Sequence, residues 1–172
     1  AQYAADMAAL PDGDAKARGM AIGSEVAAGL LALRANDGRA TVLPPYVAGT
    51  LPGQFRGTNP VNRIAPYVKP FSTLSHSQFR APGPPALTSD TYAADLNEVK
   101  AIASATSTTR TPAQTELARF ETENPNSYWD RNLRQFATAS ADLAENARLA
   151  AMLWTAFQDA ISACFDSKYH YN

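Results

Sequence analysis

The sequence predicts an all-α fold, a helical bundle of about five helices accompanied by a long Pro-rich extended strap. Alanine supplies 34 of the 172 residues, which favours closely packed helices over a sheet built from β-branched residues. Nine of the 12 prolines lie between Pro44 and Pro85, a spacing that neither a helix nor a central strand tolerates. After Thr88, capping residues and apolar residues recur at helical spacing, which predicts several further helices.

Composition excludes several classes of function. With 15 basic and 16 acidic residues, the chain lacks the excess positive charge that holds a protein on nucleic acid or on an anionic membrane. A single cysteine excludes an intrachain disulfide and a multi-cysteine zinc site. No apolar run approaches the roughly 20 residues that a membrane span needs. We expect residues 1–172 to form one helical domain or the N-terminal part of a larger one.

The first helical segment covers residues 1–39. Asp12 or Asp14 is predicted to cap its helix, and the Asn-Asp-Gly tripeptide at 36–38 is predicted to end it. Three glycines lie inside this helix, each at a cost of about 1 kcal/mol against alanine, and close approach of another helix would explain them: Gly19, Gly23 and Gly29.

The Pro-rich strap, residues 40–87, is too long for an ordinary loop of a compact domain. Disordered segments are poor in aromatic residues, whereas this one has five. We therefore expect an ordered, extended segment whose aromatic side chains hold it against the helices: Tyr46, Phe55, Tyr67, Phe71 and Phe79.

Residues 88–172 carry the remaining helices. Ser89 is predicted to cap the first of them, and Thr111, followed by Pro112 and Gln114, predicts the start of the second. Asn-Pro-Asn at 124–126 should interrupt that helix and precede a short third one. Asp142 with Glu145 resembles a capping box and predicts a long last helix that continues to Tyr169.

The last helix has two faces on a helical wheel. Its apolar sector is predicted to face the core and contains Leu143, Ala150, Leu153, Phe157, Ile161 and Cys164. The opposite side contains Arg148, Asp159, Ser162 and Asp166. Lys168 lies in the sector of Phe157, and an ammonium on a core face needs a partner. Two interpretations stay open: a lysine that extends to water at the end of a helix, or one that binds an anion in a pocket.

Other polar and aromatic residues give weaker indications. His76 and His170 have no ligand partners at metal-binding spacing and are interpreted as surface or packing residues. Three residues are interpreted as core residues: Cys164, Trp129 and Trp154. Arg80 and Arg110 each lie beside a turn and could hold carbonyls or a carboxylate. The sequence has no Gly-rich phosphate loop, no G-x-S-x-G elbow and no His-Glu-x-x-His motif.

These segments resemble the bacterial vanadium-dependent haloperoxidase-like proteins of the type-2 phosphatidic acid phosphatase superfamily. The likeness lies in the first helix, in the strap, in the helical region that follows it and in the end of the last helix, at residues 11–38, 51–55, 68–71, 78–89, 92–100, 110–115 and 159–172. In that family a lysine opens the oxyanion-binding signature, Lys, six residues, Arg-Pro, and Lys168 stands at the position of that lysine. The family's Pro-Ser-Gly-His and Ser-Arg segments do not occur in this sequence.

The resemblance implies the N-terminal half of a vanadium haloperoxidase-like helical fold. It implies that Lys168 is both the catalytic and the cofactor-binding residue, through the oxygens of vanadate or of phosphate in its place. We expect the rest of the site to come from residues beyond Asn172 or from a companion chain, and the isolated chain to be inactive. An acid phosphatase of the same superfamily and a catalytically silent helical module are the alternatives, and a homo-oligomer also stays open.

Two further expectations concern the setting of the protein. Because relatives are often exported, we expect an extracytoplasmic location, periplasmic or secreted. If the apolar strip over Phe157, Ile161 and Cys164 were exposed, we would expect it to be the surface that a missing partner half covers.

Overall fold

A computed structural model describes residues 2–138 and 142–171, and it confirms the all-α fold class. Within these residues there is no strand, and the helices are α1 (Gln2–Ala8), α2 (Asp14–Leu33), α3 (Asp90–Ile102), α4 (Pro112–Glu121), α5 (Pro125–Thr138) and α6 (Leu143–Tyr171). The chain divides into two compact units, Ala1–Val42 and Leu43–Asn172. No helix in the described ranges has the length and apolar character that a membrane crossing requires.

The first unit contains α1 and α2. The predicted aspartate cap is wrong: Gly13 occupies the N-cap position without a side-chain hydrogen bond, and Asp14 is the first helical residue. Asp12 instead accepts a hydrogen bond of 2.8 Å from Lys16 Nζ. The predicted end of the helix is confirmed, because α2 ends at Leu33 and Gly38 follows with a φ of 93°. None of the described residues of α2 is buried.

The helix starts of the second unit follow the predicted caps. Ser89 Oγ accepts a hydrogen bond of 3.1 Å from Tyr92 N, and Thr111 with Gln114 forms a complete capping box. Asp142 Oδ1 accepts from Ala144 N at 2.8 Å at the start of α6. The interruption at 124–126 is confirmed as well, since α4 ends at Glu121 and α5 begins at Pro125.

The strap contains no α-helix or strand: it consists of extended segments and turns with one 3-10 turn at Ala65–Tyr67, which packs against α6. The prediction that aromatic side chains hold it in place is wrong for four of the five; the fifth, Tyr46, is half-buried and lines two cavities together with Tyr169 of α6. Phe79 is 75 % exposed, and Tyr67, Phe55 and Phe71 are also exposed. Polar contacts hold the strap instead: backbone N–H groups and one arginine bind carboxylates of α6, and two tyrosines near the end of α6 bind strap carbonyls, at Val61 and Ala81.

The orientation of α6 also differs from the helical-wheel prediction. Asp159 and Ser162, predicted to lie away from the core, are 4 % and 1 % exposed. Leu143 and Cys164, predicted to be core residues, are exposed, while Phe157 and Ile161 are half-buried. The physical reason is hydrogen bonding. Where the strap packs on α6, its partly buried backbone donors need partners, and a carboxylate on the helix satisfies three of them at once.

Few apolar side chains are buried in the part of the chain that the structure describes. Ala65 and Val68 are the buried hydrophobic residues there, beside the buried polar His76. Of the predicted core tryptophans, Trp129 is 38 % exposed and Trp154 is half-buried, with its ring 5.5 Å from that of Phe157. Large apolar side chains are exposed on every long helix, which is typical of surfaces that another polypeptide covers.

Candidate functional site

Lys168 lies in the last turn of α6, and its side chain is exposed instead of facing a core as the wheel predicted. Its Nζ lies 4.9 Å from the centre of the Phe165 ring, one turn earlier on the same helix. A cation over a ring face gains about 0.5–1 kcal/mol at an exposed site. This contact gives the ammonium a preferred direction without neutralising its charge.

Lys168 lines a cavity of about 420 Å³ between the end of α6 and the strap. The strap wall is formed by residues that include Gly53, Gln54, Phe55, Asn59 and Val61. Gln54 Oε1 shapes this wall by accepting hydrogen bonds from Thr50 N at 3.1 Å and from Leu51 N at 3.0 Å. Gly53 has a φ of 82°, a conformation that favours glycine, and it completes the turn.

Tyr169 connects the two walls of this cavity. Its hydroxyl donates to the carbonyl oxygen of Val61, which joins the end of α6 to the strap. Burial raises the pKa of the Tyr169 phenol, although the nearby Arg63 guanidinium acts in the opposite direction. The phenol therefore stays protonated at neutral pH and keeps its donor role.

The charge of this cavity is that of Lys168. No other lining residue is basic or acidic, and among the described residues no carboxylate lies within ion-pair distance of its Nζ. A lone, strongly hydrated ammonium attracts oxyanions. Vanadate or phosphate needs several cations and donors, so the residues present fit one edge of such a site and not the whole of it.

Asp159 forms a second polar centre, and sequence reasoning missed it. Its carboxylate accepts backbone hydrogen bonds from three successive residues of the strap, Phe71 N at 2.8 Å, Ser72 N at 2.6 Å and Thr73 N at 3.1 Å. Burial alone would raise the pKa of Asp159, but these three donors and the nearby His76 outweigh it and hold the pKa below its ordinary value of 3.8. The available signal was a Pro-rich strap without a hydrogen-bond ladder of its own, whose buried backbone donors need acceptors elsewhere in the fold.

The two arginines beside turns do what the sequence predicted. Arg80 binds the Asp166 carboxylate with two hydrogen bonds, Nε to Oδ2 at 2.7 Å and Nη2 to Oδ1 at 2.9 Å. Arg110 Nη1 donates to the carbonyls of Ile102 and Ser104, at 2.9 Å each. The Arg80 pair joins the strap to α6, whereas the Arg110 contacts fix the local turn after α3.

The two histidines and the cysteine do not form a site together. His76 is a buried packing residue whose Nε2 bonds the carbonyl of Val68, and His170 is exposed on α6. Cys164, predicted to be a core residue, is exposed. Within the described ranges, no group of three His, Cys, Asp or Glu side chains is arranged to hold a metal ion.

Comparison with family models, with curated proteins and with solved structures found no match to this chain.

Proposed function

We propose that this chain is the N-terminal helical portion of a vanadium-dependent haloperoxidase-like enzyme and that Lys168 is its contribution to the oxyanion site. The observation that carries the proposal is the position of Lys168 on the wall of a cavity of about 420 Å³, with no carboxylate of the described residues within ion-pair distance. The resemblance of the surrounding segments to that family points to the same residue. The remaining cations and the histidines come from sequence beyond this chain or from a companion polypeptide.

The exposed apolar surface supports a role in a larger assembly. Leu143 at the start of α6 is 84 % exposed, and Leu31 and Leu33 at the end of α2 are 73 % and 74 % exposed. Each fully buried side chain of this size is worth about 1.5–3 kcal/mol relative to an exposed one. Covering these faces with the C-terminal half of the same protein would supply the core that the chain lacks.

Within such a site Lys168 acts through its charge. Vanadate, when bound, supplies the chemistry of peroxide-dependent halide oxidation. The Lys168 ammonium binds one of its oxygens and stabilises negative charge there, which is electrostatic catalysis by a positioned donor. The Phe165 ring limits the directions in which the ammonium can lie. Because one cation holds an oxyanion only weakly, the isolated chain is inactive.

A catalytically silent helical module is the second candidate. The exposed position of Lys168 over Phe165 favours it, because a lysine at a helix end that extends to water needs no ligand. In this case the exposed apolar faces serve only to bind a partner polypeptide.

The experiment starts from native material. Peptide mapping by mass spectrometry identifies any sequence that continues past Asn172 and any companion chain. The same preparation is then assayed with orthovanadate, hydrogen peroxide and bromide for bromination of phenol red, and separately with p-nitrophenyl phosphate. We expect vanadate-dependent bromination, and we expect Lys168→Ala in the full gene to reduce it by about 10²–10³-fold.

Lys100→Ala is the matched control, because Lys100 is an exposed lysine in the last turn of α3. It should leave the rate unchanged. If the preparation hydrolyses the phosphate ester and does not brominate phenol red, the protein is a phosphatase and the haloperoxidase assignment is wrong. If the native material has no companion chain and neither activity, the catalytically silent helical module is the function that remains.

A further inference from the structure

A second cavity, of about 400 Å³, shares Tyr46 and Tyr169 as lining residues with the cavity that Lys168 lines. Its charged and titratable lining includes Arg63, Arg80, Asp166 and His170. The volume lies in the range of small-molecule sites, roughly 300–1,000 Å³. The cavity combines a polar end with apolar and aromatic walls, as such sites do.

The charges of this cavity do not cancel. Arg80 is neutralised, because it binds the Asp166 carboxylate with two hydrogen bonds at 2.7 and 2.9 Å. Arg63 has no carboxylate within ion-pair distance among the described residues, and its Nη2 donates to the neutral carbonyl of Pro44 at 2.7 Å. Even with His170 uncharged, the cavity therefore carries one positive charge.

Arg63 is oriented before any ligand arrives. The bond to Pro44 holds one end of its guanidinium, and the guanidinium carbon lies 5.5 Å from the centre of the Tyr46 ring. An arginine has five N–H donors in a fixed planar arrangement, and only one hydrogen bond from this side chain is seen here. The remaining donors match the geometry of a carboxylate, which arginine binds through two parallel hydrogen bonds.

The walls determine what accompanies the charged group. Pro44, Pro66 and Tyr67 also line the cavity, and Tyr67 is exposed, so its ring is accessible to a ligand. Apolar and aromatic walls favour a ligand with a flat apolar body. One guanidinium neutralises a singly charged carboxylate, whereas a phosphate dianion would keep a second negative charge without a partner in the cavity, so the single positive charge suits the monoanion.

We propose that this cavity binds a small aromatic carboxylate, with the carboxylate on Arg63 and the ring against the apolar wall. This site is separate from the role proposed for Lys168, because Lys168 does not line this cavity. The proposal therefore stands or falls independently of the haloperoxidase assignment.

Benzoate titrated into the 172-residue chain, followed by isothermal calorimetry and by NMR of the arginine side-chain N–H groups, tests this site. We expect saturable binding and a shift of the Arg63 signal. Arg63→Gln should weaken binding by about tenfold or more, since it removes a charge-assisted bidentate contact. Arg56→Gln is the matched control, because Arg56 is an exposed arginine of the same strap that does not line the cavity.

Three further probes separate charge from shape. Benzamide keeps the ring without the charge, acetate keeps the charge without the ring, and inorganic phosphate brings a second charge, so each should bind more weakly than benzoate. Arg63→Lys, which keeps the charge and loses the planar donor pair, should give an intermediate affinity, and circular dichroism checks that each variant keeps its helices. Failure of benzoate to bind, equal binding by Arg63→Gln, or tighter binding of phosphate would overturn the proposal.

Discussion

The two longest helices of the chain are stabilised in different ways. In the first unit, α2 (Asp14–Leu33) has no buried residue among those described, although most of its side chains are apolar. In the second unit, α6 (Leu143–Tyr171) is covered by the strap along its polar side, where Asp159 and Ser162 are buried. Apolar character alone therefore does not determine which helix face is covered. On α6 the covered face is the one whose side chains accept hydrogen bonds from the backbone N–H groups of the strap.

The reason lies in what each helix meets. A Pro-rich strap forms no ladder of its own, so its backbone N–H groups must find acceptors elsewhere when they are buried. Asp159 accepts three of these groups at distances of 2.6 to 3.1 Å. No such segment covers α2 within its own unit, and Val26 and Leu31 remain 65 % and 73 % exposed.

The largest expected effect is that of Asp159→Ala, which would remove the feature that distinguishes α6. Three strap N–H groups would lose a charged acceptor, and we expect a loss of about 3 kcal/mol in the free energy of unfolding of the second unit. Urea unfolding followed by circular dichroism measures this loss. Asp95→Ala is the control, because Asp95 is exposed on α3, and an equal loss in both variants would show that the strap does not depend on Asp159.

The acid dependence of stability should be smaller and should have a definite sign. Because the pKa of Asp159 is lower in the folded protein than its ordinary value of 3.8, this carboxyl stabilises the fold fully above about that pH. Its contribution is lost as the pH falls through the lower folded-state pKa. The loss stays below that of Asp159→Ala, since a neutral carboxyl still has oxygen acceptors.

Unfolding by urea at a series of pH values between 2 and 7 measures this dependence, with about half-unit steps below pH 4. Asp159→Asn should flatten the profile in the acid range while the rest of the curve keeps its form. A variant profile parallel to that of the wild type throughout would assign the acid loss to other carboxylates.

The smallest expected effect concerns α2. Apart from its chain neighbours and the backbone of α2 itself, no described atom of the first unit lies within 4 Å of a Cβ placed at Gly19, Gly23 or Gly29, so the close helix approach predicted from these glycines is not found within this unit. Gly23→Ala should therefore stabilise the isolated chain by about 0.5–1 kcal/mol through helix propensity. Thermal unfolding or amide exchange of α2 measures the gain.

Gly53→Ala provides the opposite case in the second unit. Gly53 has a φ of 82°, and a Cβ there would lie 3.1 Å from a methyl carbon of Leu87, so this change should destabilise. If a partner polypeptide covers α2 at Gly23, Gly23→Ala will weaken that association while it stabilises the free chain. Loss of stability of the free chain in Gly23→Ala would contradict the open surface described above.

Features that depend on neighbouring residues were largely predictable from the sequence, with the aspartate cap of α2 as the exception, since Gly13 takes that position. Ser89 and Thr111 cap helices through groups no more than three residues away, so their identity and spacing sufficed. The orientation of α6 was not predictable from a helical wheel, because the partners of Asp159 lie 86 to 88 residues earlier in the chain. A helical wheel shows which residues of one helix share an apolar face, and it takes no account of backbone donors that come from distant parts of the chain.

The candidate site was predictable in part for the same reason. Lys168 attracted notice as a charge in an apolar sector, yet its exposure follows from the way the strap covers the opposite side of α6. The cavity beside it is formed by Gly53, Gln54 and Asn59, more than 100 residues away in sequence, where no local pattern marks a wall. Arg63 was not singled out for a similar reason, since its distinction is the absence of a nearby carboxylate.

The separation between Asp159 and its donors has a consequence for biosynthesis. Phe71 leaves the ribosome 88 residues before the carboxylate that its N–H group binds. At about 5–20 residues per second, the strap waits on the order of ten seconds for its acceptor. Throughout that interval its donors are satisfied by water, and it is accessible to chaperones and proteases. The strap can therefore form these three hydrogen bonds only after translation has passed Asp159, in the second half of the long last helix.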